Sequence, residues 1–154
     1  MLNQIARLCL AGAVCATLAV GCHSASSAPG DQAAPAAPVA AKKAVPEVTV
    51  TDVARFVKDK SATVLDANDD DTRKEQGVVP GAVLLAGHKD YPLSQLPAAK
   101  TDKLVFYCGG TQCRASDAAA TRAASAGYSD VNVMRAGIRG WKSAGLPTSA
   151  APQS

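Results

Sequence analysis

The sequence predicts an α/β domain in which helices cover both faces of a largely parallel sheet. Short apolar segments alternate with helix-forming segments from about residue 47 to residue 148. The connections between the apolar segments are too long for hairpins, which favours parallel strands joined by helical crossovers. A chain of 154 residues is long enough for one such domain with additional terminal segments.

The bulk composition narrows the class of protein. Hydrophobic residues make up 47% of the chain, but much of this fraction is alanine and only 4% of the residues are aromatic. We therefore expect a modest core packed from small side chains. The formal net charge of +3 is too small and too evenly spread for a nucleic-acid-binding surface.

Residues 1–22 are typical of an export signal. An apolar stretch from residue 8 to residue 20 follows Arg7 and is short for a membrane span. It ends at Gly21 and Cys22, which resembles the bacterial lipobox, whose cysteine becomes the lipidated first residue. A plain cleaved signal and an uncleaved anchor are the alternatives. By resemblance to bacterial lipoproteins, His23 in the next position favours the outer membrane over retention in the inner membrane. We therefore expect a lipid-anchored protein on the periplasmic side of a bacterial cell envelope.

Two further segments are predicted to have no fixed structure. Residues 23–46 are rich in alanine, proline and serine and show no apolar period, which predicts a disordered tether. Residues 149–154 are predicted to form a frayed tail. The folded domain is thus expected to span residues 47–148.

The domain's elements follow from local patterns. Thr51 or Asp52 is a candidate cap for the first helix. The acidic run at residues 69–71 indicates the start of a helix, because it lacks the ligand spacing of a calcium loop. His88 is the domain's single histidine, and we interpret it as an exposed loop residue rather than a catalytic base. In order, we predict strand 48–50, a helix to residue 60, strand 62–67, helix 68–75, strand 83–85, a helical turn at 92–96, strand 104–107, a helix from about 114 to 126, strand 131–134 and helix 137–144.

The central chemical feature is the loop after strand 104–107. Cys108 ends the strand, and an alanine-rich helix begins near Arg114. Backbone N–H groups in such a loop lie at the positive end of the helix dipole and favour a thiolate. Cys108 and Asp66 both end strands, at the edge of a parallel sheet where sites form. We interpret Cys108 as a nucleophile in an anion cradle formed by Gly109, Gly110, Thr111, Gln112, Cys113 and Arg114.

Four stretches resemble the rhodanese-like domain family, in family order across about residues 47–148. They are LDAN at 65–68, GVVPGAVLL at 77–85, VFYCGGTQCRAS at 105–116 and GYSDVNVMRAGIRGWKSAGLP at 127–147. The resemblance implies a three-layer domain with a five-stranded, mostly parallel sheet, and it implies sulfurtransferase activity. Cys108 would accept a sulfane sulfur from a small donor such as thiosulfate and pass it to a thiol acceptor. Arg114 would close the cradle, and we assign supporting roles to Asp66 and Ser116.

Departures from the family pattern leave a second enzyme class open. Cys113 holds the sixth loop position, where the family commonly has arginine, and Arg114 is seventh. Asn68 stands where an arginine is usual, and Val78 where a histidine is common. The C-x5-R spacing is similar to that of phosphatases and arsenate reductases, although those enzymes usually have histidine before the cysteine and an acid within the loop.

The second cysteine supports two interpretations. CGGxxCxxS resembles a two-cysteine subset of rhodanese-like domains, in which Cys113 would resolve a Cys108 persulfide or sulfenate and leave a disulfide. Alternatively, Cys113 is a small residue that points into the core. A non-catalytic redox or binding module is therefore a third hypothesis. We expect no cofactor, and no metal because too few ligands are available; no protein partner is indicated.

Overall fold

The computed structural model describes residues 44–151. The predicted signal peptide, the lipidation site at Cys22 and almost all of the predicted tether lie outside the described residues, as do the last three residues. No helix within the described part is long and apolar enough to cross a membrane. Both hydrophobic cores described below lie within the described residues, so a protein lacking the first 39 residues retains the whole domain.

The sheet is parallel throughout. Its strands are β1 (Thr63–Asp66), β2 (Val83–Leu84), β3 (Leu104–Tyr107) and β4 (Val131–Met134), in the spatial order β2-β1-β3-β4. Asp66 pairs with Tyr107 across the two central strands, so both strands end at the same edge. The family-like fold with a parallel sheet flanked by helices is confirmed.

The predicted fifth strand at residues 48–50 is not formed. A single parallel bridge joins Glu47 to Val133, with the Val48 N–H donating to the Val133 carbonyl at 3.0 Å. The Thr49 hydroxyl accepts from the Asp52 N–H, and the Asp52 carboxylate accepts from the Thr49 N–H. This capping box begins the helix at Val50, which leaves no room for an extended segment.

Helices cover both faces of the sheet and close off two cores. They are α1 (Val50–Asp59), α2 (Asp70–Gln76), α3 (Ala115–Ser125) and α4 (Gly137–Ser143), and a 3-10 turn spans Leu93–Gln95. Successive strand residues alternate between the two cores, as the pleat requires. In β3, Leu104 and Phe106 pack with α3, whereas Val105 and Tyr107 pack with α1 and α4.

The alanine-rich helix packs closely against the sheet. Ala119, Ala120 and Ala123 of α3 are fully buried in the core that contains Phe106. The small side chains fix the position of the helix start, which follows the Cys108 loop.

The chain end is held further than predicted. Trp141 is buried, and its indole N–H donates to the Pro147 carbonyl at 2.8 Å. Beyond it, Val78 and Ser149 exchange two backbone hydrogen bonds of 2.9 Å. The frayed tail predicted from residue 149 is therefore wrong at Ser149.

Candidate functional site

Cys108 lies at the carboxyl end of β3, where it is only 2% exposed. It is joined to Cys113 by a disulfide, with the two Cα atoms 6.3 Å apart, a separation within the usual range for a disulfide. Cys113 is half-buried and lines the adjoining cavity. The structure thus joins the two cysteines of the loop covalently.

Ser116 is the polar side chain beside the Cys108 sulfur. It lies in the first turn of α3, is 1% exposed, and its Oγ is 3.3 Å from Cys108 Sγ. A disulfide sulfur carries no proton, so the serine hydroxyl is the donor here. The same hydroxyl can donate to a Cys108 thiolate or persulfide after reduction.

The loop between the cysteines leaves most of its backbone N–H groups free. The Cys113 N–H donates to the Gly110 carbonyl at 2.9 Å. The remaining loop N–H groups donate no hydrogen bond to any part of residues 44–151, namely those of Gly109, Gly110, Thr111, Gln112 and Arg114. These groups are available to an anion, which is what a cradle requires.

Helix α4 fixes the loop through two backbone hydrogen bonds. The Ile138 N–H donates to the Cys108 carbonyl at 2.8 Å, and the Arg139 N–H donates to the Gly109 carbonyl at 3.3 Å. Gly137 makes this approach possible, because it has a φ of +62° and a Cβ there would lie 2.6 Å from the Gly110 nitrogen. Any side chain at Gly137 would displace the loop.

A cavity of about 970 Å³ opens beside the loop. Its wall combines the loop with the segment after β1, the segment after β2 and the first turns of α4. The exposed His88 lies on its rim. The polar and charged side chains in this wall are Asn68, Asp69, Asp70, Thr72, Arg73, His88, Thr111, Gln112, Arg139 and Ser143.

The structure does not bring the Arg114 side chain into this cavity. It is 74% exposed and pairs with Asp117 at 3.3 Å. Asp117 is also held by Arg135 through two hydrogen bonds of 2.9 and 2.8 Å. These interactions lower the pKa of Asp117. The hydrogen bonds from Arg135 have the largest effect, and the hydrogen bond and charge of Arg114 add to it. Arg114 is therefore directed toward α3, and its expected role in closing the cradle is not seen.

Asp66 is fully buried and lies behind the cavity. One carboxylate oxygen accepts from the Asn68 N–H at 2.7 Å, and the other accepts from the Tyr107 hydroxyl at 2.6 Å. The same hydroxyl accepts from the Val79 N–H at 3.0 Å. Burial and the neighbouring Asp66 charge raise the pKa of Tyr107, so the phenol stays protonated. Asp66 thus supports the site by fixing the strand end rather than by touching a ligand.

Arg73 ties the ends of two strands together. Its Nη2 donates to the Asp66 and Leu85 carbonyls at 3.0 and 2.9 Å, and its Nη1 donates to Asp70 at 3.1 Å. Its Nε lies 3.5 Å from the Asp66 carboxylate, which is close enough for an ion pair but not for a well-directed hydrogen bond. From the sequence, Arg73 was recognisable only as a basic residue near the end of a short predicted helix, and its contacts with the two strands were not.

Asn68 carries an unpaired donor in the cavity wall. The residue is 8% exposed, and its buried Nδ2 has no hydrogen-bond partner within residues 44–151. Its Oδ1 would lie 3.7 Å from a Cβ on Gly109, so the side chain lies directly against the loop.

Arg139 is the functional candidate that sequence reasoning missed. A Cβ atom added to Gly110 would lie 3.7 Å from Arg139 Cδ, so the arginine side chain lies over this glycine. Arg139 forms no ion pair within the described part of the chain. Its position in the first turn of a helix that starts at Gly137 was visible in the sequence. Its proximity to the loop was not.

The comparisons with known proteins agree with this architecture. A profile of the rhodanese-like domain family matches residues 49–144. A search of curated proteins finds no significant match.

Three solved structures illustrate the fold. A Rhodopseudomonas palustris protein described as a possible tyrosine phosphatase is 22% identical, with a TM-score of 0.56 over 68% of this chain and 84% of its own. The BH2092 protein of Bacillus halodurans is 23% identical, with a TM-score of 0.57 over 68% and 77%. The human single-domain sulfurtransferase TSTD1 is 19% identical, with a TM-score of 0.52 over 64% and 96%. At these identities the likeness concerns the fold, and together with the profile match it shows that this chain belongs to the rhodanese-like domain family.

Proposed function

We propose that this protein is a sulfurtransferase or persulfide carrier with Cys108 as its nucleophile. The observation that carries the proposal is the setting of the Cys108 sulfur, with the Ser116 hydroxyl 3.3 Å away and a loop of free N–H groups after it. This setting favours anionic sulfur. The human sulfurtransferase that shares the fold supports the same reaction class.

The reaction begins from the reduced pair, because a disulfide sulfur cannot act as the nucleophile. Two molecules of a small thiol reduce the Cys108–Cys113 bond and are themselves oxidised to one disulfide. The Cys108 thiolate then attacks the outer sulfur of the donor. With thiosulfate, a bond forms between Cys108 Sγ and that sulfur, the bond to the sulfite group breaks, and sulfite leaves with the electron pair.

The resulting persulfide has two fates. An acceptor thiolate can attack the outer sulfur, which moves to the acceptor and regenerates the Cys108 thiolate. Alternatively, the Cys113 thiolate attacks Cys108 Sγ, hydrosulfide leaves, and the disulfide forms again. The second fate requires a fresh thiol reductant for each turnover, and it gives Cys113 the resolving role.

We extend the proposal to location on the grounds of the N-terminal sequence. The signal-like residues 1–21 and the lipobox-like Cys22 support export and lipid anchoring at the periplasmic side of the outer membrane. The alanine- and proline-rich residues 23–46 would then act as a tether for the domain. Metabolic labelling with a radioactive fatty acid tests this, since a Cys22→Ala protein should take up no label.

The activity is tested with residues 40–154 after reduction and removal of the reductant. We expect sulfur transfer from thiosulfate or a persulfide to cyanide, and we expect Cys108→Ser to abolish it. Cys113→Ser is the matched control, because it removes the other sulfur of the pair and should retain single transfers. Sulfur transfer that survives Cys108→Ser would rule out Cys108 as the nucleophile.

Intact-mass measurement separates the carrier from a simple redox module. The reduced Cys113→Ser protein, in which the persulfide cannot be resolved, should gain one sulfur atom on Cys108 when the donor is added. A protein that only loses two hydrogen atoms on oxidation, and never gains sulfur from any donor, would be a redox module instead.

The C-x5-R spacing makes an oxyanion enzyme the second candidate, in line with the phosphatase description of one neighbour. The exposed position of Arg114, outside the cavity, weighs against it. Hydrolysis of an aryl phosphate, or thiol-dependent reduction of arsenate, lost on Cys108→Ser, would favour this function over sulfur transfer.

A further inference from the structure

We propose that Cys113 is an S-thiolation site, the point at which a low-molecular-weight thiol attacks the Cys108–Cys113 disulfide. A mixed disulfide forms on Cys113, and Cys108 leaves as a thiolate. The attack itself needs only the disulfide and a thiol, whereas its consequence for a persulfide rests on the proposed sulfur transfer at Cys108.

The two sulfurs of the disulfide differ in access. Thiol–disulfide exchange requires the incoming thiolate to reach one of the sulfurs, so the attacked sulfur must face open space. Cys108 is 2% exposed and lies outside the wall of the cavity beside the loop. Cys113 is half-buried and forms part of that wall. A small thiol in the cavity therefore meets Cys113 and not Cys108.

The two sulfurs also differ in how well they leave. The Ser116 hydroxyl donates to Cys108 Sγ at 3.3 Å and can donate to the thiolate that forms there. The loop N–H groups that form no hydrogen bond within residues 44–151 begin at Gly109, directly after Cys108. Within the same residues, no side-chain hydrogen bond reaches Cys113 Sγ. A stabilised thiolate leaves faster, so attack at Cys113, which expels Cys108, is the favoured route.

The backbone around the two cysteines fits the same direction of attack. The Cys108 carbonyl accepts from the Ile138 N–H at 2.8 Å, which holds the end of β3 against α4. Cys113 ends a turn in which its N–H donates to the Gly110 carbonyl at 2.9 Å, and the two residues inside this turn are exposed. Cys113 thus carries an added group on an exposed turn, while Cys108 stays fixed at the strand end.

The cavity has room for the incoming group. Its volume is about 970 Å³. Sites that hold small molecules span about 300–1,000 Å³, so an amino-acid thiol or a tripeptide thiol fits within it. A folded protein would have to insert a cysteine into this space. We therefore assign the site to low-molecular-weight thiols.

The exchange balances in atoms and electrons. R–S⁻ attacks Cys113 Sγ, a bond forms between these two sulfurs, and the bond to Cys108 Sγ breaks with its electron pair left on Cys108. A second R–S⁻ attacks the R sulfur of the mixed disulfide, R–S–S–R forms, and Cys113 leaves as a thiolate. The two thiols supply the two electrons that the protein disulfide gains.

A thiol on Cys113 changes the fate of sulfur on Cys108. The resolving step needs a Cys113 thiolate, and the mixed disulfide holds none. A Cys108 persulfide formed in this state therefore does not lose hydrosulfide to Cys113 and is passed to an acceptor instead. The thiol that opens the disulfide thus also selects between the two fates of the persulfide.

The position of the added thiol is measured directly. Oxidised residues 40–154 are mixed with glutathione, and the reaction is stopped within seconds by N-ethylmaleimide, which alkylates free thiols. Trypsin releases residues 104–114, which contain both cysteines, and tandem mass spectrometry locates each group. We expect about tenfold more glutathione on Cys113 than on Cys108, which carries the maleimide instead. A majority on Cys108, or an even distribution, would overturn the site.

The rate of reduction identifies the leaving sulfur even where the mixed disulfide is too short-lived to collect. Ser116→Ala removes the hydrogen bond to the Cys108 thiolate and should slow reduction by excess glutathione about three- to fivefold. Ser125→Ala is the matched control, because it changes an exposed serine of the same helix and should leave the rate unchanged. Equal rates in both variants would show that Cys108 is not the leaving sulfur, which contradicts the proposal.

Hydrosulfide release tests the consequence for the persulfide. After loading with thiosulfate and without an acceptor, the reduced wild type should release hydrosulfide. Cys113→Ser, which like the thiolated protein has no Cys113 thiolate, should release none. Equal release from both proteins would mean that a thiol on Cys113 does not protect the persulfide.

Failure of the thiol site and failure of sulfur transfer give different results. Glutathione on Cys113 in a protein whose Cys108 gains sulfur from no donor leaves the site in place and removes the proposed sulfur transfer. Sulfur gained on Cys108, together with glutathione attached mainly to Cys108, keeps the transfer and removes the site.

Discussion

Tyr107 and Cys108 are neighbours in the chain, yet they belong to two polar regions that differ in how their hydrogen bonds are used. The first, which we call the buried network, comprises Asp66, Arg73 and Tyr107, and it donates four side-chain hydrogen bonds within the protein, three from Arg73 and one from Tyr107. The second, the open loop, comprises residues 108–113 and donates a single backbone hydrogen bond, from Cys113. Satisfied polar groups stabilise a fold, whereas free donors are available to a ligand.

The largest expected effect lies in the buried network. Tyr107→Phe leaves the Asp66 carboxylate without its 2.6 Å hydrogen bond and the buried Val79 N–H without an acceptor. We expect the free energy of unfolding to fall by about 2–4 kcal/mol, measured by urea denaturation. Tyr91→Phe is the control, because it removes one hydroxyl that donates to a neutral carbonyl at 2.8 Å. An equal loss in both variants would mean that the network adds nothing beyond a single hydrogen bond.

In the open loop, Ser116→Ala should change reactivity more than stability. The hydroxyl 3.3 Å from Cys108 Sγ stabilises the thiolate, so its loss should slow alkylation of reduced Cys108 about five- to tenfold at neutral pH. The measurement is made in a Cys113→Ser background, where one thiol reacts. Ser143→Ala, which changes an exposed residue of α4 in the cavity wall, should leave the rate unchanged. Identical alkylation rates in both variants would show that Ser116 does not stabilise the Cys108 thiolate.

The Asp117–Arg135 pair outside the loop should show an intermediate effect that depends on pH. Arg135 and Arg114 lower the pKa of Asp117 from its ordinary value of 3.8. Its stabilisation is therefore fully present above that value and is lost as pH falls through the lowered pKa. Asp117→Asn should lower the free energy of unfolding by about 1 kcal/mol at pH 7.

That difference should shrink toward zero in acid, below about pH 3.8, when unfolding is followed across the range from pH 7 to pH 2. Asp102→Asn is the control, because Asp102 is exposed and forms no ion pair in the described range 44–151. A difference between wild type and Asp117→Asn that stays constant down to pH 2 would contradict the assignment.

The smallest effect is expected at Arg114, the residue that family resemblance assigns to the cradle. Its side chain is exposed and paired with Asp117, so Arg114→Gln should change the free energy of unfolding by less than about 0.5 kcal/mol. Sulfur transfer should change less than about twofold, because the guanidinium does not reach the cavity. A tenfold loss of turnover would show that the arginine enters the cavity during the reaction.

The fold was largely predictable because strand and helix signals agree over most of the domain. They conflict at residues 48–50, where β-branched side chains favour a strand but Thr49 and Asp52 can form a capping box. The capping box resolves this conflict in favour of the helix. Alternation of apolar segments cannot reveal such a competition.

The site was predictable only in part. Cys108, Cys113 and Ser116 lie within nine positions of each other, so loop and helix geometry brings them together. Asn68 and Arg139 come from distant parts of the chain, and only the folded sheet places both beside the loop. The direction of Arg114 depends on Asp117, three positions further on, and Asp117 is in turn held by Arg135, which only the folded chain brings to it.

The Cys108–Cys113 disulfide links residues only five positions apart. Closing so short a loop restricts the unfolded chain little, and its contribution to stability is about 2 kcal/mol on a chain-entropy basis. The two cores and the sheet do not depend on it. The bond can therefore open and close repeatedly while the domain remains folded. Its oxidation state is thus suited to follow the concentration of thiols around the domain.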